Sequence, residues 1–296
     1  MAGLAYLDGV FVAADEARIS PFDRGFLFAD SVYEVTAIYA GQPVDMGRHL
    51  DRLERSLREL GFARLPDRKE LEAMHRRLIA ENRIAEGYVY LQVTRGAYGA
   101  RDFPAPDAEK TRLTVFAFAD AKAVIDQPAS RNGVKVVSVA DIRWARRDIK
   151  STGLLAQTLA KTEAKARGAD DAWLVGPDGQ VTEAASANAW IVTKEGEIIT
   201  RALSNAILAG ITRHAIFDAL AQQGRKITER SFTLAEAVNA AEAFNTSATA
   251  LVAPGVQLDG KPVGSGKPGP VTRAIQRLYY RGVGADPDKA APWLND

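Results

Sequence analysis

The chain of 296 residues is long enough to bury a hydrophobic core of its own, and it fits one large domain or two of ordinary size. Lys and Arg number 38 and Asp and Glu number 37, so the net charge is only +1, which argues against a dedicated nucleic-acid or anionic-membrane binder. The chain has no cysteine for a disulfide, a thiolate zinc site or a thiol nucleophile, and its 3 histidines lie too far apart in sequence to suggest a metal site.

The sequence predicts neither export nor membrane insertion. Its first residues lack the basic and apolar regions of a secretory signal peptide, and no run of about 18 apolar residues occurs in it. The fingerprints of nucleotide-binding loops and of the serine nucleophile elbow are also missing. These features predict a cytoplasmic globular protein with no membrane span and no nucleic-acid partner.

Residues 1–122 are predicted to form a small N-terminal α+β domain. Runs of β-branched and aromatic residues predict strands, and apolar residues three or four positions apart predict helices. In chain order, the predicted elements are strands at 4–7, 10–12 and 32–39, a short strand at 43–44 that completes a hairpin, helices at 46–60 and 67–82, and strands at 88–94 and 113–118.

Residues 123–132 lack a hydrophobic period and contain Pro128, which predicts a linker between two domains. Residues 133–296 are predicted to form a larger C-terminal α+β domain. Its predicted elements are strand 134–139, helix 155–167, strand 171–175, a turn at 177–179, strand 187–193 and helix 211–223. The polar, proline-containing tail from 282 to 296 is predicted to be loosely held.

Lys150 lies in an unusual basic stretch. Arginines precede it at 143, 146 and 147, and the predicted helix 155–167 follows it. A lysine amine must lose its proton before it attacks a carbonyl, and burial or nearby positive charge favours that loss. The stretch therefore fits either a Schiff-base lysine or a solvated basic loop, and the local sequence alone favours the loop.

Three further stretches are ambiguous when each is considered alone. Glu183 precedes small residues and a predicted strand, so it fits either a partner for a protonated ring nitrogen or a turn glutamate. Gly210 and Thr212 begin the predicted helix 211–223, whose first amides fit either a phosphate site or an ordinary helix with a threonine N-cap. Residues 245–249 are rich in hydroxyl groups and fit either a phosphate contact or a polar turn between strands.

Taken together and in this order, five motifs resemble the fold-type IV, class IV pyridoxal-phosphate aminotransferases, and most of all their D-amino-acid aminotransferase branch. The motifs are FDRGFLFADSVYE at 22–34, HxxRL at 49–53, RWxxxDIKS at 143–151, TExxSxN at 182–188 and LxGITR at 208–213. The match runs from the N-terminus to about residue 280. The resemblance implies a two-domain α+β fold, with a small N-terminal α/β domain and a larger, barrel-like C-terminal α+β domain. It also implies a homodimer with shared active sites.

Under this resemblance, Lys150 forms the internal aldimine with pyridoxal 5'-phosphate and then carries the proton between substrate and cofactor. Glu183 pairs with the pyridine nitrogen and keeps it protonated, which makes the ring an electron sink. The other residues implied to bind the cofactor are Arg52, Leu208, Ile211, Thr212, Ser247 and Ala248. The residues implied to bind the substrate are Tyr33, Arg101 and Ser186. Arg143 is implied to contact the residues that bind the cofactor rather than the cofactor itself. His49 and Asn188 are implied to have structural roles, and no metal is implied.

The substrate loop departs from the family pattern. The best-known D-amino-acid enzymes hold the substrate carboxylate with an Arg-x-His pair, whereas here Arg101 is followed by Asp102 and Phe103. Arg101 is the remaining candidate for carboxylate binding, and a surface ion pair with Asp102 is the alternative. Two smaller departures are Ser31, where glycine is usual, and Ala248, where threonine is common in the phosphate turn.

The resemblance implies transamination of a D-amino acid with a 2-oxo acid through a pyridoxamine-phosphate half-reaction. Three alternatives share the fold: an (R)-amine transaminase, a branched-chain L-amino-acid aminotransferase and an aminodeoxychorismate lyase. The missing histidine keeps the amine transaminase open, while Tyr33 counts against the branched-chain enzyme, which usually has phenylalanine there. A non-catalytic relative is disfavoured because both Lys150 and Glu183 are present.

Overall fold

The computed structural model describes residues 3–99, 101–107 and 112–295. The chain divides into two compact units, the first comprising Met1–Ala123 with Ile149–Gly153 and the second Val124–Asp148 with Leu154–Asp296. Residues 124–132, predicted as a linker, belong to the second unit and include a short helix. The segment Ile149–Gly153, predicted as part of the C-terminal domain, belongs to the first unit.

The first unit is an antiparallel sheet with helices. Its elements are β1 (Leu4–Leu7), β2 (Val10–Ala13), α1 (Arg24–Phe28), β3 (Ser31–Tyr39), β4 (Gln42–Pro43), α2 (Met46–Glu59), α3 (Arg68–Glu81), β5 (Gly87–Thr94) and β6 (Thr114–Ala121). Among the described residues the strand order is β2-β1-β6-β5-β3-β4. The strands and helices predicted for this part of the chain are confirmed, with ends that differ by at most three residues; α1 was not predicted.

Helix α2 packs into the core of the first unit because its apolar residues recur every three or four positions. Leu50, Leu53 and Leu57 are at most 3% exposed and belong to the core cluster that also includes residues of β3 and β5. Each leucine buried this completely contributes roughly 1.5–3 kcal/mol to stability. The same helix carries the polar side chains of His49 and Arg52 into the interior, where both are buried.

The segment that contains Lys150 pairs with the beginning of β3. The backbone N–H of Tyr33 donates to the carbonyl oxygen of Lys150 at 3.0 Å, and that of Thr152 donates to the carbonyl of Ser31 at 3.2 Å. Ile149 is 3% exposed and lies in the core of the first unit. This pairing fixes the backbone of Lys150 beside Tyr33, more than a hundred residues earlier in the chain.

The second unit is a mixed sheet with helices. Its elements are α4 (Pro128–Asn132), β7 (Val134–Ala140), α5 (Leu155–Ala166), β8 (Asp171–Val175), β9 (Val181–Ala184), β10 (Asn188–Val192), β11 (Ile198–Thr200), α6 (Ile211–Gln222), β12 (Ile227–Glu229), α7 (Leu234–Asn239), β13 (Glu242–Ser247), β14 (Leu251–Leu258), β15 (Lys261–Pro262), α8 (Pro270–Gly282), α9 (Pro287–Ala290) and a 3₁₀ turn (Pro292–Leu294). The order is β12-β11-β10-β13-β14-β7-β8-β9, with β15 beside β14.

This second sheet curls. Strand β9 lies at one end of the order, yet it continues into the interior strand β10 through a tight turn in which the N–H of Ala184 donates to the carbonyl of Ala187 at 2.8 Å. Strands β7 and β8 are parallel, whereas β8 and β9 are antiparallel. The predicted barrel-like α+β architecture of the larger domain is therefore confirmed.

The hydroxyl-rich stretch 245–249 is largely a strand rather than a turn. Asn245 and Thr246 lie in β13, where they accept the indole N–H groups of two fully buried tryptophans. Trp173 donates to Asn245 at 2.8 Å and Trp190 donates to Thr246 at 2.9 Å. A buried indole N–H needs such a partner, so both polar residues have structural roles. The turn itself begins after Ser247.

The prediction of a loosely held tail is wrong. Trp293 and Leu294 are 9% and 8% exposed, and the indole N–H of Trp293 donates to Asp126 at 2.9 Å. The guanidinium of Arg273 lies 4.7 Å from the centre of the Trp293 ring. The apolar residues near the C-terminus therefore anchor it to the second unit.

In the described parts of the chain, no helix combines the length and the apolar character that crossing a membrane requires.

Candidate active site

Lys150 presents its amine to an aromatic ring. Its Nζ lies 4.2 Å from the centre of the Tyr33 ring, and the side chain is partly buried. Within the described residues, Lys150 forms no salt bridge with a carboxylate. An amine that is not held in an ion pair is available as a nucleophile or a base, because no counter-ion has to be displaced before it reacts.

The ring of Tyr33 belongs to an aromatic stack on the first sheet. Tyr33 lies 5.6 Å from Tyr90 on the neighbouring strand β5, and Tyr90 lies 5.3 Å from Phe118 on β6. The hydroxyl of Tyr90 donates to Gln92 at 2.8 Å, and burial, helped by the neighbouring Tyr33, raises the pKa of Tyr90 to about 12. Tyr90 therefore stays neutral, and the stack holds the Tyr33 ring in a fixed orientation beside Lys150.

Arg52 is held by a buried carboxylate. Its Nε and Nη2 each donate to Glu34 at 2.7 Å, and Nδ1 of His49 contacts the same carboxylate at 2.7 Å. Burial alone would raise the pKa of Glu34, but Arg52 and His49 outweigh it and lower that pKa to about 2. Burial lowers the pKa of His49, so this ring is neutral near pH 7 and donates its Nδ1–H. The predicted phosphate contact, Arg52, is thus fixed in one orientation.

We expect Glu34→Gln to unfold more easily at pH 7 and to lose the acid sensitivity that this carboxylate confers. Glu34 ionises near pH 4.5 when unfolded and near 2 when folded, so its stabilisation is complete above pH 4.5 and disappears as the pH falls towards 2. That difference amounts to roughly 3 kcal/mol. Neutral His49 acts in the same direction, because the unfolded chain takes up its proton as the pH falls below 6.5.

Urea unfolding at pH 7, 5 and 3 measures this effect. Glutamine leaves Arg52 buried without a counter-charge, which costs about 3–5 kcal/mol at pH 7. Glu54→Gln is the matched control, because the side chain of Glu54 on α2 is 44% exposed and pairs with Arg58. Curves for Glu34→Gln that fall with pH as steeply as those of the unsubstituted protein would contradict the assignment.

Arg101 lies against two aromatic rings of the first unit. Its guanidinium is 4.8 Å from the centre of Phe28 and 4.9 Å from that of Phe103. The carboxylate of Asp102 instead accepts the backbone N–H of Phe103 at 2.8 Å. Among the residues that the structure describes, Arg101 and Asp102 form no ion pair, so that alternative is not observed. Arg24 holds this loop by donating to the carbonyls of Asp102 at 2.6 Å and Phe103 at 2.9 Å.

Glu183 is a buried carboxylate at the end of β9. It is 4% exposed and accepts hydrogen bonds from Nη1 of Arg143, from Nδ2 of Asn188 at 3.1 Å and from the N–H of Leu208 at 3.2 Å. Burial raises the pKa of Glu183, and Arg143 opposes this only in part. A buried carboxylate with a raised pKa has a high affinity for a proton and suits a cationic ring nitrogen as its partner.

Asp141 was not recognised from the sequence. Its carboxylate receives Nε of Arg143 at 2.9 Å, Nη2 of Arg143 at 2.8 Å and the hydroxyl of Thr182 at 2.7 Å. Asp141 and Arg143 are two positions apart in the loop that follows β7, and their side chains bond to each other. That spacing was the available signal. Asn188, predicted to have a structural role, donates a hydrogen bond to the carboxylate of Glu183.

The beginning of α6 is shaped for close approach. Gly210 is the N-cap and makes no side-chain capping bond, and a Cβ at this position would lie 2.0 Å from Oδ1 of Asn188. Thr212 is 2% exposed and lies inside the helix, so it is not the N-cap. The amides of Ile211 and Thr212 stand in the first turn, where a helix carries partial positive charge.

The remaining predicted residues lie in turns of the second unit. Ser247 ends β13, and its hydroxyl accepts the N–H of Ala250 at 3.2 Å, which orders the turn that contains Ala248. Ser186 is exposed at the tip of the two-residue turn between β9 and β10. Leu208 contacts Glu183 directly, as described above, whereas no hydrogen bond joins Ser186 to Glu183 in the described part of the chain.

Residues 31–258 match the family model for amino-transferase class IV. The chain belongs to the class IV aminotransferases. A D-alanine aminotransferase from Staphylococcus aureus (strain COL) is 38% identical over 280 residues, which cover 93% of this chain and 96% of that protein. The structure of a branched-chain amino acid aminotransferase from Escherichia coli superposes with a TM-score of 0.86 at 24% identity, covering 98% of this chain and 97% of the other. The branched-chain aminotransferase from the thermophilic archaeon Thermoproteus uzoniensis with norvaline has a TM-score of 0.83 at 26% identity, covering 99% and 98%.

Class IV aminotransferases use pyridoxal 5'-phosphate, and the residues of this chain fit that cofactor. The first unit supplies Lys150, an amine without a carboxylate partner among the described residues. The second unit contains the buried carboxylate of Glu183, a group of the kind that suits a cationic ring nitrogen, and it contains Gly210, where a side chain would collide with Asn188. The cofactor, when bound, supplies an aldehyde for the amino group and an electron sink for the substrate carbanion.

Proposed function

We propose that this class IV aminotransferase transfers the amino group of a D-amino acid to a 2-oxo acid. The observation that carries the proposal is the amine of Lys150, held 4.2 Å from the Tyr33 ring and not engaged by a carboxylate in the described residues. The choice of a D-amino acid is supported by the 38% identity to a D-alanine aminotransferase over 93% of the chain.

In this proposal, Lys150 is the group that takes the proton from the substrate α-carbon and returns it one step later. Glu183 holds a proton on the cofactor ring nitrogen, since a buried anion stabilises a buried cation. Leu208 lies against the cofactor ring. The groups proposed to hold the phosphate are Arg52, the amides of Ile211 and Thr212, and the Ser247–Ala248 turn. Arg52 and the helix amides are suited to a phosphate dianion because they offer cationic and amide donors.

Tyr33, Arg101 and Ser186 are proposed to contact the substrate. A guanidinium stacked on aromatic rings keeps its N–H edges free of the rings and can bind a carboxylate through two parallel hydrogen bonds. Arg101 has this stacked arrangement, with Phe28 and Phe103. The carboxylate shared by the amino donor and the 2-oxo acid is its proposed ligand.

A second candidate function is transamination of an (R)-amine. It is favoured by one observation, the exposed Phe103, which stands where an imidazole would help to bind a carboxylate and is 72% exposed. A substrate without a carboxylate would not need that second cationic group.

The proposal includes a homodimer with shared active sites and a cytoplasmic location. The dimer is supported by large apolar side chains on the surface of each unit, Phe22 and Phe26 in the first and Leu155 and Leu159 in the second, which are 52–77% exposed. Exposed apolar groups of this size are typical of protein–protein contacts. The cytoplasmic location is supported by the absence of cysteine from the sequence, because a protein without disulfides does not need an oxidising compartment to fold.

An absorbance spectrum of the dialysed protein tests the function. We expect a visible band from bound cofactor that bleaches with D-alanine and not with L-alanine. A band that neither alanine bleaches and that an (R)-amine bleaches selects the second candidate function. Bleaching by L-alanine alone contradicts both candidate functions. No band, even after pyridoxal 5'-phosphate is added, contradicts the enzymatic proposal.

A further inference from the structure

The carboxylate of Asp141 is completely buried, and both of its oxygens accept hydrogen bonds. Its side chain has no exposed surface, and its oxygens accept Nε of Arg143 at 2.9 Å, Nη2 of Arg143 at 2.8 Å and the Thr182 hydroxyl at 2.7 Å. Burial raises the pKa of Asp141, but the bonds and charge of Arg143 outweigh it and hold that pKa below the usual value. Asp141 is therefore a permanent buried anion near pH 7.

Asp141 directs Arg143 towards Glu183. The guanidinium is planar and rigid, and its Nε and Nη2 edge is taken by Asp141. The remaining nitrogen, Nη1, donates to Glu183. Arg143 and Glu183 side chains are both 6% exposed, so solvent screens this contact very little.

The charges of these three residues decide what Glu183 can bind. Arg143 and Glu183 by themselves cancel, and a neutral pair attracts a cation only weakly. Asp141 leaves the three residues with one net negative charge. Arg147 also faces Asp141, with its buried Nε 3.3 Å away, so its charge offsets part of that of Asp141. Its side chain is 17% exposed, against 6% for Arg143, and it makes no contact with Glu183 in the described residues. The other groups that contact Glu183, Asn188 and the N–H of Leu208, carry no charge.

We propose that Asp141 is a positioning residue that keeps the Arg143–Glu183 pair net negative and so allows Glu183 to hold a proton on the cofactor ring nitrogen. The inference deepens the proposed function and rests on it. It separates two tasks within the cluster, because Glu183 contacts the ring and Asp141 sets the charge that Glu183 presents.

The test compares two ligands that differ only at the ring nitrogen. Pyridoxal 5'-phosphate has this nitrogen, and its 1-deaza analogue has a carbon there that cannot be protonated. Each is titrated into the cofactor-free protein, and equilibrium binding is followed by quenching of tryptophan fluorescence. Asp141→Asn is expected to weaken binding of pyridoxal 5'-phosphate roughly tenfold, which is the change that one unit of proton affinity produces, and to leave the deaza analogue unaffected.

Two further variants complete the test. Asp178→Asn is the control, because Asp178 lies in an exposed turn of the same unit, and its binding ratio should equal that of the unsubstituted protein. The double variant Asp141→Asn with Arg143→Gln removes one charge of each sign and returns the cluster to one net negative charge. It is expected to restore the preference for pyridoxal 5'-phosphate, and it keeps the inference testable should Asp141→Asn alone not fold.

Equal weakening of both ligands by Asp141→Asn would show a purely structural role and overturn the inference. A double variant that folds and shows no preference for pyridoxal 5'-phosphate would overturn it as well. If the unsubstituted protein binds neither ligand, the proposed function itself fails, which is a different result from either of these.

Discussion

Lys150→Ala is expected to abolish transamination and to leave the fold intact. The backbone pairing of Lys150 with Tyr33 does not involve the side chain, whose contact is the Tyr33 ring. A positioned proton-transfer group is worth roughly 10²–10⁴ in rate, and the loss of the covalent attachment adds to that. Single-turnover measurements with D-alanine give the rate, and circular dichroism checks the fold.

Lys194→Ala is the matched control, since Lys194 is an exposed lysine in a turn of the second unit. It should retain the full rate. A small primary amine added to Lys150→Ala should restore part of the proton transfer, because the amine can occupy the space that the side chain leaves. Substantial activity of Lys150→Ala without added amine would contradict the role assigned to Lys150.

Short-range patterns in the sequence were sufficient to predict most helices and strands of the first unit. The leucine spacing of α2 depends on residues three or four apart, and Leu50, Leu53 and Leu57 are buried as that spacing requires. The strand residues of β5 alternate in exposure along YVYLQVT, as a half-buried strand does. Such elements are predictable because the interactions that select them are local.

Long-range pairings were not predictable in the same way. The segment 149–153 has neither helical nor strand periodicity, and it pairs with Ser31–Tyr33 across more than a hundred residues. The tail carries few apolar residues, yet Trp293 bonds to Asp126, which is 167 positions away. Nothing in either stretch specifies its partner, so domain membership and order at these points follow from tertiary contacts.

In the candidate site, too, local motifs were visible in the sequence and long-range contacts were not. The family motifs marked Lys150 and Glu183 in sequence, but the contacts that orient them were not apparent there. The carboxylate of Glu34 holds Arg52 from another element, and Arg143 reaches Glu183 across 40 positions. These supporting contacts depend on which side chains meet after folding, whereas the motif residues are visible as a linear pattern.

Glu183→Gln is expected to bind the cofactor but to slow transamination at least tenfold, a factor that corresponds to about 1.4 kcal/mol in the barrier. Glutamine has nearly the same shape and still accepts the N–H of Leu208, so the local structure is retained. It carries no negative charge, so the positive charge of Arg143 is then balanced by Asp141, which also faces Arg147. A less protonated ring nitrogen is a weaker electron sink, so the proton leaves the substrate α-carbon more slowly.

The pH dependence distinguishes this loss of charge from a loss of fit. Burial raises the pKa of Glu183, so in the unsubstituted protein the carboxylate takes up a proton at a higher pH than an ordinary glutamate as the pH falls. In the cofactor-free protein, the affinity for pyridoxal 5'-phosphate should therefore fall on acidification at a pH above the range of an ordinary glutamate, and this fall is the acid limb of binding. Glu183→Gln should lack that limb, whereas Glu195→Gln, at a fully exposed glutamate of the same unit, should keep both the rate and the limb. An unchanged rate with an unchanged acid limb in Glu183→Gln would remove Glu183 from this role, because a group that does not titrate there and does not affect the barrier cannot be the partner of the ring nitrogen.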